Sequence, residues 1–171
     1  VSHVKTAADD VAVSYQYNDE MTSLTGSHLL VCTGRQATTA GLNLSAAGIR
    51  TNASGIAVNK KLKTSNRRVY ALGDVIGQYA FTHAAGYQAG VIIKNMLFCL
   101  PTKVNYQAMP RVTYTQPEVA HVGLTITDAT QRKIKHQVTT WQYQDNHRAI
   151  TENATQGFIK VITNHKDKIL G

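Results

Sequence analysis

The hydrophobic and polar positions along the chain follow different periods, and each period predicts a different element. Residues 11–17 alternate between polar and apolar side chains and are followed by the turn-like residues 18–20. We therefore predict edge strands or a hairpin within residues 1–27. Residues 29–32 and 69–72 are instead short, continuous apolar runs, which is the pattern of strands buried on both faces of a parallel sheet.

Longer-period patterns predict helices. Residues 82–97 form the longest of these, with Thr82 as a suitable N-cap and Pro101 beyond its end. The apolar positions recur at alternating spacings of four and three, so they share one helix face: Ala85, Ala89, Ile92, Met96 and Cys99. A short helix at residues 42–49, ending at a glycine, and a strand at residues 55–59 are also predicted.

After Pro101 the pattern is that of an antiparallel sheet with a helix on one face. A helix is predicted at residues 127–135. The predicted strands are residues 112–115, 120–123, 138–143 and 158–163.

Composition and charge narrow the function classes. The chain has 171 residues, of which 43% are hydrophobic, with no apolar run of transmembrane length and no start like a signal peptide. We expect a cytoplasmic protein that contacts no membrane. The net charge of +8 invites nucleic-acid binding. However, aromatic side chains do not alternate with the lysines at positions 60, 61 and 63, so a solvated surface is expected instead.

The cysteines and histidines suggest no metal or disulfide chemistry. Cys32 and Cys99 lie far apart, each in an apolar run, so reduced core cysteines are predicted. The histidines lack the spacing of metal ligands. His147 and Glu152 are five residues apart and a carboxylate can orient an imidazole, but we do not assign them as a catalytic pair.

Candidate binding residues follow the two buried runs. Gly73 and Asp74 come directly after residues 69–72, where a glycine allows a ligand to approach the backbone and a carboxylate can accept hydrogen bonds from hydroxyl groups. A simple turn is the alternative explanation of this pair. Gly34 and Arg35 occupy the corresponding place after the first run. The helix start at Thr82 is electropositive and favours negative charge on a ligand.

Three segments resemble one known family. Residues 64–74 have the pattern T-x-x-x-x-x-Y-A-x-G-D, which resembles the second flavin-binding motif of the pyridine nucleotide–disulfide oxidoreductases, such as dihydrolipoamide dehydrogenase and mercuric reductase. Residues 29–35 resemble the segment that returns to the family's FAD domain. Residues 110–125 resemble the start of its dimerisation domain. These motifs occur in the family's order along nearly the whole chain.

The resemblance implies an α/β fold in three parts. Residues 1–31 are expected to be the tail of an NAD(P)-binding domain. Residues 32–105 are expected to be the second half of an FAD-binding domain, and residues 106–171 an α+β dimerisation domain with an antiparallel sheet, truncated before the catalytic histidine. The implied parent is an FAD enzyme that uses NAD(P)H to reduce a disulfide or mercuric ion, and the implied partner is a second copy bound through residues 106–171.

The same resemblance assigns site residues. It places Asp74 against the ribityl chain of FAD, Gly73 beside it, and Thr82 and His83 at a helix start facing the flavin ring; Gly34 and Arg35 are further cofactor-binding candidates. The family's phosphate loops, its cysteine pair and its His-Pro-x-x-x-Glu histidine are absent from the sequence, so no catalytic or metal-binding residue is assigned.

The phosphate loops, the cysteine pair and the rest of the parent's N-terminal portion are missing. We therefore predict an inactive chain with weak or no FAD binding. The alternative is a stand-alone dimerisation or interaction module without redox activity.

Overall fold

The computed structural model describes residues 1–7 and 10–171, which divide into two compact units, residues 1–35 and residues 36–171. In the first unit, strands β1 (His3–Ala7), β2 (Asp10–Tyr17) and β3 (Glu20–Gly26) form an antiparallel sheet in that order. Asn18 and Asp19 both have positive φ angles, 47° and 63°, as a two-residue hairpin turn requires. The hairpin predicted within residues 1–27 is therefore confirmed.

The buried strand predicted at residues 29–32 is wrong. These residues form no strand, and Leu30 is 85% exposed. A buried parallel strand needs a neighbour on each side to pair its N–H and C=O groups. Within the part of the chain that the structure describes, no strand pairs with this segment. Its apolar sequence alone does not form a strand.

The core of the second unit surrounds one long helix. Strands β4 (Thr51–Asn52) and β5 (Gly55–Ile56) form a hairpin, a 3₁₀ helix spans Gly73–Ile76, and α1 spans Thr82–Met96. The buried apolar residues that pack together come from β5, the 3₁₀ helix, α1 and the irregular segments before and between them: Ile49, Ile56, Leu62, Ala71, Ile76, Val91 and Ile92. Burial of this cluster is the main source of stability in this part of the molecule.

Three local predictions before α1 need correction. The short helix predicted at residues 42–49 is a series of turns, because Asn43 takes a left-handed φ of 46° that interrupts a helical ladder. The strand predicted at residues 55–59 is limited to β5. Residues 69–72 form no parallel strand: their one ladder contact is an antiparallel bridge between Tyr70 and Lys63.

The position of α1 was predicted correctly, but its buried face was not. The buried residues of α1 are Ala84, Gln88, Val91 and Ile92, whereas Met96 is 55% exposed. The helix is turned so that the polar Gln88 faces inward, which a pattern of apolar residues cannot reveal. Thr82 is not the N-cap either, since Phe81 holds that position without a side-chain hydrogen bond.

The structure corrects the prediction for the two cysteines. Cys32 and Cys99 are both free. Both are exposed, so the prediction that they lie in the core is wrong. Cys99 lies beyond the end of α1, where its φ of 52° takes the chain away from the helical face.

After α1, the predicted strands and helix are present with shifted ends. They are β6 (Arg111–Thr113), β7 (Val119–His121), α2 (Ile126–Gln131), β8 (His136–Gln142) and β9 (Phe158–Asn164). A 3₁₀ helix (Tyr143–Asp145) and α3 (His147–Thr151), which were not predicted, lie between β8 and β9. The strands form two antiparallel ladders, β6–β7 and β8–β9, rather than one sheet. No helix among the described residues is long and apolar enough to cross a membrane.

Candidate functional site

A tight turn places Gly73 and Asp74 beside α1. The backbone is extended at Leu72 and then turns at Gly73, whose φ of +73° favours glycine. The 3₁₀ helix that follows ends when the N–H of Gly77 donates to the carbonyl oxygen of Asp74 over 2.9 Å. Gly73 is buried, whereas Asp74 is exposed in the first turn of this 3₁₀ helix.

Glycines also fix this turn from the opposite side. A Cβ atom at Gly77 would overlap the carbonyl oxygen of Ser54, and one at Gly55 would overlap that of Val75. The β4–β5 hairpin and the 3₁₀ helix therefore approach each other more closely than residues with side chains allow. This contact restricts the path of the backbone that carries Asp74.

Gln88 holds the turn against α1. Its side chain is fully buried, and its Oε1 accepts a hydrogen bond from the N–H of Gly73 over 2.6 Å. Its Nε2 donates to the hydroxyl oxygen of Tyr106 over 2.9 Å, and the Tyr106 ring stacks on Tyr79 with centroids 4.3 Å apart. Burial raises the pKa of Tyr106, partly offset by the hydrogen bond from Gln88. Gln88 thus joins the turn, α1 and the tyrosine pair.

The sequence reasoning missed Gln88. The available signal was a glutamine four residues after Ala84 and three before Val91, in the middle of the face that proved to be buried. A buried amide must have hydrogen-bond partners, and its partners lie 15 residues earlier and 18 residues later in the chain. Such distant contacts leave no local sequence pattern.

The start of α1 is open to solvent. Thr82 and His83 are exposed, and no side chain caps this end of the helix. The first N–H groups of α1 thus lack a side-chain cap, and they carry the positive end of the helix dipole. The His83 Nε2 donates to the carbonyl oxygen of Pro110 over 2.9 Å, which ties the imidazole to residue 110. The backbone N–H of His83 belongs to the uncapped first turn of α1 and faces no side-chain cap.

Gly34 and Arg35 are the remaining cofactor-binding candidates. Gly34 has a φ of +103° and Arg35 is exposed, both in the unit of residues 1–35. Their assignment to a cofactor remains a prediction.

In α3, Arg148 Nε donates to Glu152 Oε1 over 2.8 Å, so the Glu152 carboxylate engages an arginine rather than His147. Among the described residues, no three His, Cys, Asp or Glu side chains are grouped to hold a metal ion.

Family models match most of the chain. Residues 1–89 match the model described as pyridine nucleotide-disulphide oxidoreductase, and residues 109–171 match its dimerisation domain. The resemblance inferred from the three sequence motifs and the predicted fold class, a partial α/β domain followed by an α+β domain, are therefore confirmed.

Individual proteins agree with the family models. The chain is 36% identical over 137 residues to a mercuric reductase of Streptomyces lividans, covering 80% of this chain and 29% of that protein. It is 29% identical over 168 residues to a dihydrolipoyl dehydrogenase of Bacillus subtilis, covering 98% and 36% respectively. The structure of the copper(II) complex of the HOCl-induced flavoprotein disulfide reductase RclA from Escherichia coli superposes with a TM-score of 0.85 at 26% identity, covering 99% of this chain and 39% of that one. The chain thus spans about a third of the length of these proteins.

Proposed function

Because the chain belongs to the pyridine nucleotide–disulphide oxidoreductase family, we propose that it is part of an FAD-dependent enzyme that uses NAD(P)H to reduce a disulfide or a mercuric ion. Its contribution is half of the FAD site and the dimer interface. The proposed division is residues 1–31 for the end of the NAD(P)-binding domain, 32–105 for the FAD-binding half and 106–171 for the interface. A location in the cytoplasm remains part of this proposal.

One observation carries the proposed FAD site: the Gly73–Asp74 turn is fixed to α1 by Gln88. The hydrogen bond from Gly73 to Gln88 and the close packing of Gly77 on Ser54 hold the backbone in place. The carboxylate is therefore presented at the surface from a rigid support, which is what recognition of a polyhydroxylated chain requires.

The chemistry of these residues fits FAD. The Asp74 carboxylate is suited to accept hydrogen bonds from the ribityl hydroxyl groups, and the buried Gly73 leaves room for the ligand's approach. The uncapped start of α1 at Thr82 and His83 supplies N–H groups and a positive dipole for the electron-rich end of the flavin ring. When bound, FAD would supply hydride and electron transfer, and these residues would hold and orient it. Gly34 and Arg35 remain weaker candidates.

The proposal predicts weak or no FAD binding by this chain. The sequence contains no glycine-rich phosphate loop, so the pyrophosphate of FAD lacks its usual backbone donors. The test is gel filtration of the chain with excess FAD, monitored at the flavin absorbance. We expect no stoichiometric flavin peak with the protein, whereas a stoichiometric yellow protein would contradict a half-site.

Pairing of two copies is the second part of the proposal. Residues 109–171 match a dimerisation domain, and this region exposes apolar side chains that a partner can cover. Trp141 on β8 lies opposite Ile159 on β9, and they are 57% and 49% exposed. Aromatic and aliphatic residues of this kind form the centre of protein–protein interfaces. A homodimer through residues 106–171 is therefore proposed.

A further inference from the structure

Residues 102–110, the connector, join the proposed FAD-binding half to the proposed interface and run back along α1. Four side chains of α1 hydrogen-bond to four residues of the connector, and the end of α1 meets the start of the connector. The pairs are Asn95 with Thr102 (2.8 Å), Gln88 with Tyr106 (2.9 Å), Tyr87 with Asn105 (2.8 Å) and His83 with Pro110 (2.9 Å). At 3.6 residues per turn, these four positions of α1 fall within an arc of about 140° on one side of the helix.

The connector makes further contacts along its length. The N–H of Val104 donates to the carbonyl oxygen of Lys60 over 2.8 Å, and the Val104 side chain packs against the apolar core. The N–H of Met109 donates to the carbonyl oxygen of Tyr106 over 3.1 Å, and Met109 is itself buried. Segments with buried side chains and paired backbone groups are the less mobile parts of a protein. The connector is therefore a fixed part of this unit and can hold a side chain in one place.

Tyr106 is the connector residue that reaches toward the candidate site. Its ring stacks on Tyr79 with centroids 4.3 Å apart and meets Tyr87 edge to face with centroids 6.2 Å apart. Ring pairs of this kind favour one orientation of the ring. Burial raises the pKa of Tyr106, so its hydroxyl is protonated at neutral pH. The hydroxyl oxygen is thus a neutral acceptor at a defined position.

The buried Gln88 amide joins this hydroxyl to the Gly73 turn. Its oxygen accepts from the Gly73 N–H over 2.6 Å, and its nitrogen donates to the Tyr106 hydroxyl oxygen over 2.9 Å. An amide that accepts at one end and donates at the other is polarised by both bonds, so each bond strengthens the other. The Tyr106 hydroxyl therefore fixes which way the Gln88 amide faces and strengthens its hold on Gly73.

We propose that Tyr106 is a positioning residue of the Gly73–Asp74 turn, acting through Gln88, and that the connector thereby couples the proposed interface to the proposed FAD half-site. The value of this turn for FAD rests on the proposed function. The coupling itself belongs to the protein without ligand and is measured without FAD. Either proposal can therefore fail while the other stands.

The test is the variant Y106F in the full chain, which removes one hydroxyl and keeps the ring. Nuclear magnetic resonance of the ¹⁵N-labelled protein follows the amide of Gly73, which Tyr106 contacts only through Gln88. We expect its proton resonance to move upfield because its hydrogen bond weakens. We also expect its hydrogen exchange to become about two- to tenfold faster, the change that corresponds to loss of one buried hydrogen bond.

The amide of Ala71 is the internal reference, because its N–H donates to the carbonyl oxygen of Leu62 and not to Gln88. A general loss of stability would speed exchange at Ala71 and Gly73 alike, whereas a positioning role acts on Gly73. The matched control is Y79F, which removes a hydroxyl from the same stacked pair. Among the described residues, the Gln88 side chain bonds to Gly73 and Tyr106 and not to Tyr79, so Y79F should leave the Gly73 amide as in wild type.

Three results would overturn the proposal. The first is a Gly73 amide in Y106F with the resonance and exchange rate of wild type. The second is an equal acceleration of exchange at Gly73 and Ala71, which would make Tyr106 a general stabilising residue. The third is the same response of Gly73 to Y79F as to Y106F, which would assign the effect to the aromatic pair instead of the hydrogen bond to Gln88.

Discussion

Gln88 is the residue on which the geometry of the candidate site depends most. The variant Q88L removes both the acceptor of the Gly73 N–H and the donor to the Tyr106 hydroxyl, leaving a buried backbone donor without a partner. We expect a loss of about 2–4 kcal/mol in the free energy of unfolding, since an unsatisfied buried polar group costs about 1–3 kcal/mol and a second bond is lost. Urea denaturation followed by circular dichroism measures this loss.

The matched control is Q78L, at an exposed glutamine in the loop before α1, where the change should be within about 0.5 kcal/mol. Loss of the hydrogen bond from Gln88 should also raise the pKa of Tyr106 further, which ultraviolet absorbance titration detects. A Q88L protein as stable as the Q78L control would show that the turn is not held by this amide.

Two glycines allow a paired test of the turn. G77A should destabilise the protein by at least about 1–3 kcal/mol, because Gly77 has a φ of +67° and an added Cβ would overlap the carbonyl oxygen of Ser54. G86A, within α1 with open space around it, should instead stabilise the helix by about 1 kcal/mol. Thermal or urea unfolding compares the two variants. Similar effects of the same sign would contradict the packing described for the turn.

Among the helices, α2 has the clearest local determinant of its start. Thr125 and Asp128 form a reciprocal capping box, in which each side chain is bonded to the other residue's backbone N–H. The Thr125 hydroxyl and the Thr125 backbone N–H both donate to the Asp128 carboxylate and lower its pKa. Their contribution to stability is therefore present above the ordinary carboxyl pKa and is lost as the pH falls through the lowered value. The variant T125A should lose about 1 kcal/mol at neutral pH.

The pH dependence separates this cap from general acid unfolding. The difference in the free energy of unfolding between the wild-type chain and T125A should be largest at pH 7 and become smaller as the pH falls below about 4, where only the pH-independent bond from the Asp128 N–H to the Thr125 hydroxyl still separates them. The variant T139A, on an exposed position of β8, is the control and should stay close to wild type at both pH values. A difference between wild type and T125A that persists unchanged at the lowest pH would contradict the role of ionised Asp128.

The strands and helices also show how much the sequence could predict. The β2–β3 hairpin was predicted because its strands are adjacent in sequence, so the alternation and the turn residues suffice. Strands were also predicted at β8 and β9, but their pairing across residues 143–157 was not. The buried strands predicted at residues 29–32 and 69–72 were wrong because a strand buried on both faces needs a neighbouring strand on each side. No local sequence pattern specifies those neighbours. The predicted apolar face of α1 differs from the buried face because the buried face contains Gln88. The hydrogen-bond partners of Gln88 lie far away in the sequence.

The candidate site was predictable only in part. The Gly73–Asp74 pair and the start of α1 were named because a family motif covers them, and the structure places them on neighbouring elements. The Gln88 contacts combine residues from separate segments, Gly73 before α1 and Tyr106 after it. No spacing within the sequence relates these segments.

For the whole chain, self-association follows from the proposed interface. Sedimentation velocity should show a dimer that dissociates at lower concentration, and W141K should shift it to the monomer by placing a charge in the apolar centre of the interface. The control V4K changes an exposed apolar residue of β1, outside residues 106–171, and should leave the dimer intact. A wild-type monomer at all concentrations, or a W141K dimer, would contradict the interface.

The central claim is that the turn at Gly73 and Asp74 and the start of α1 form half of an FAD site. Nuclear magnetic resonance of the ¹⁵N-labelled chain, titrated with FAD, tests it most directly. We predict weak binding, with the shift changes concentrated at the amides of Gly73, Asp74, Thr82 and His83 and lost in D74N but not in the D145N control. Shift changes centred elsewhere, or a D74N protein that responds like wild type, would contradict the claim.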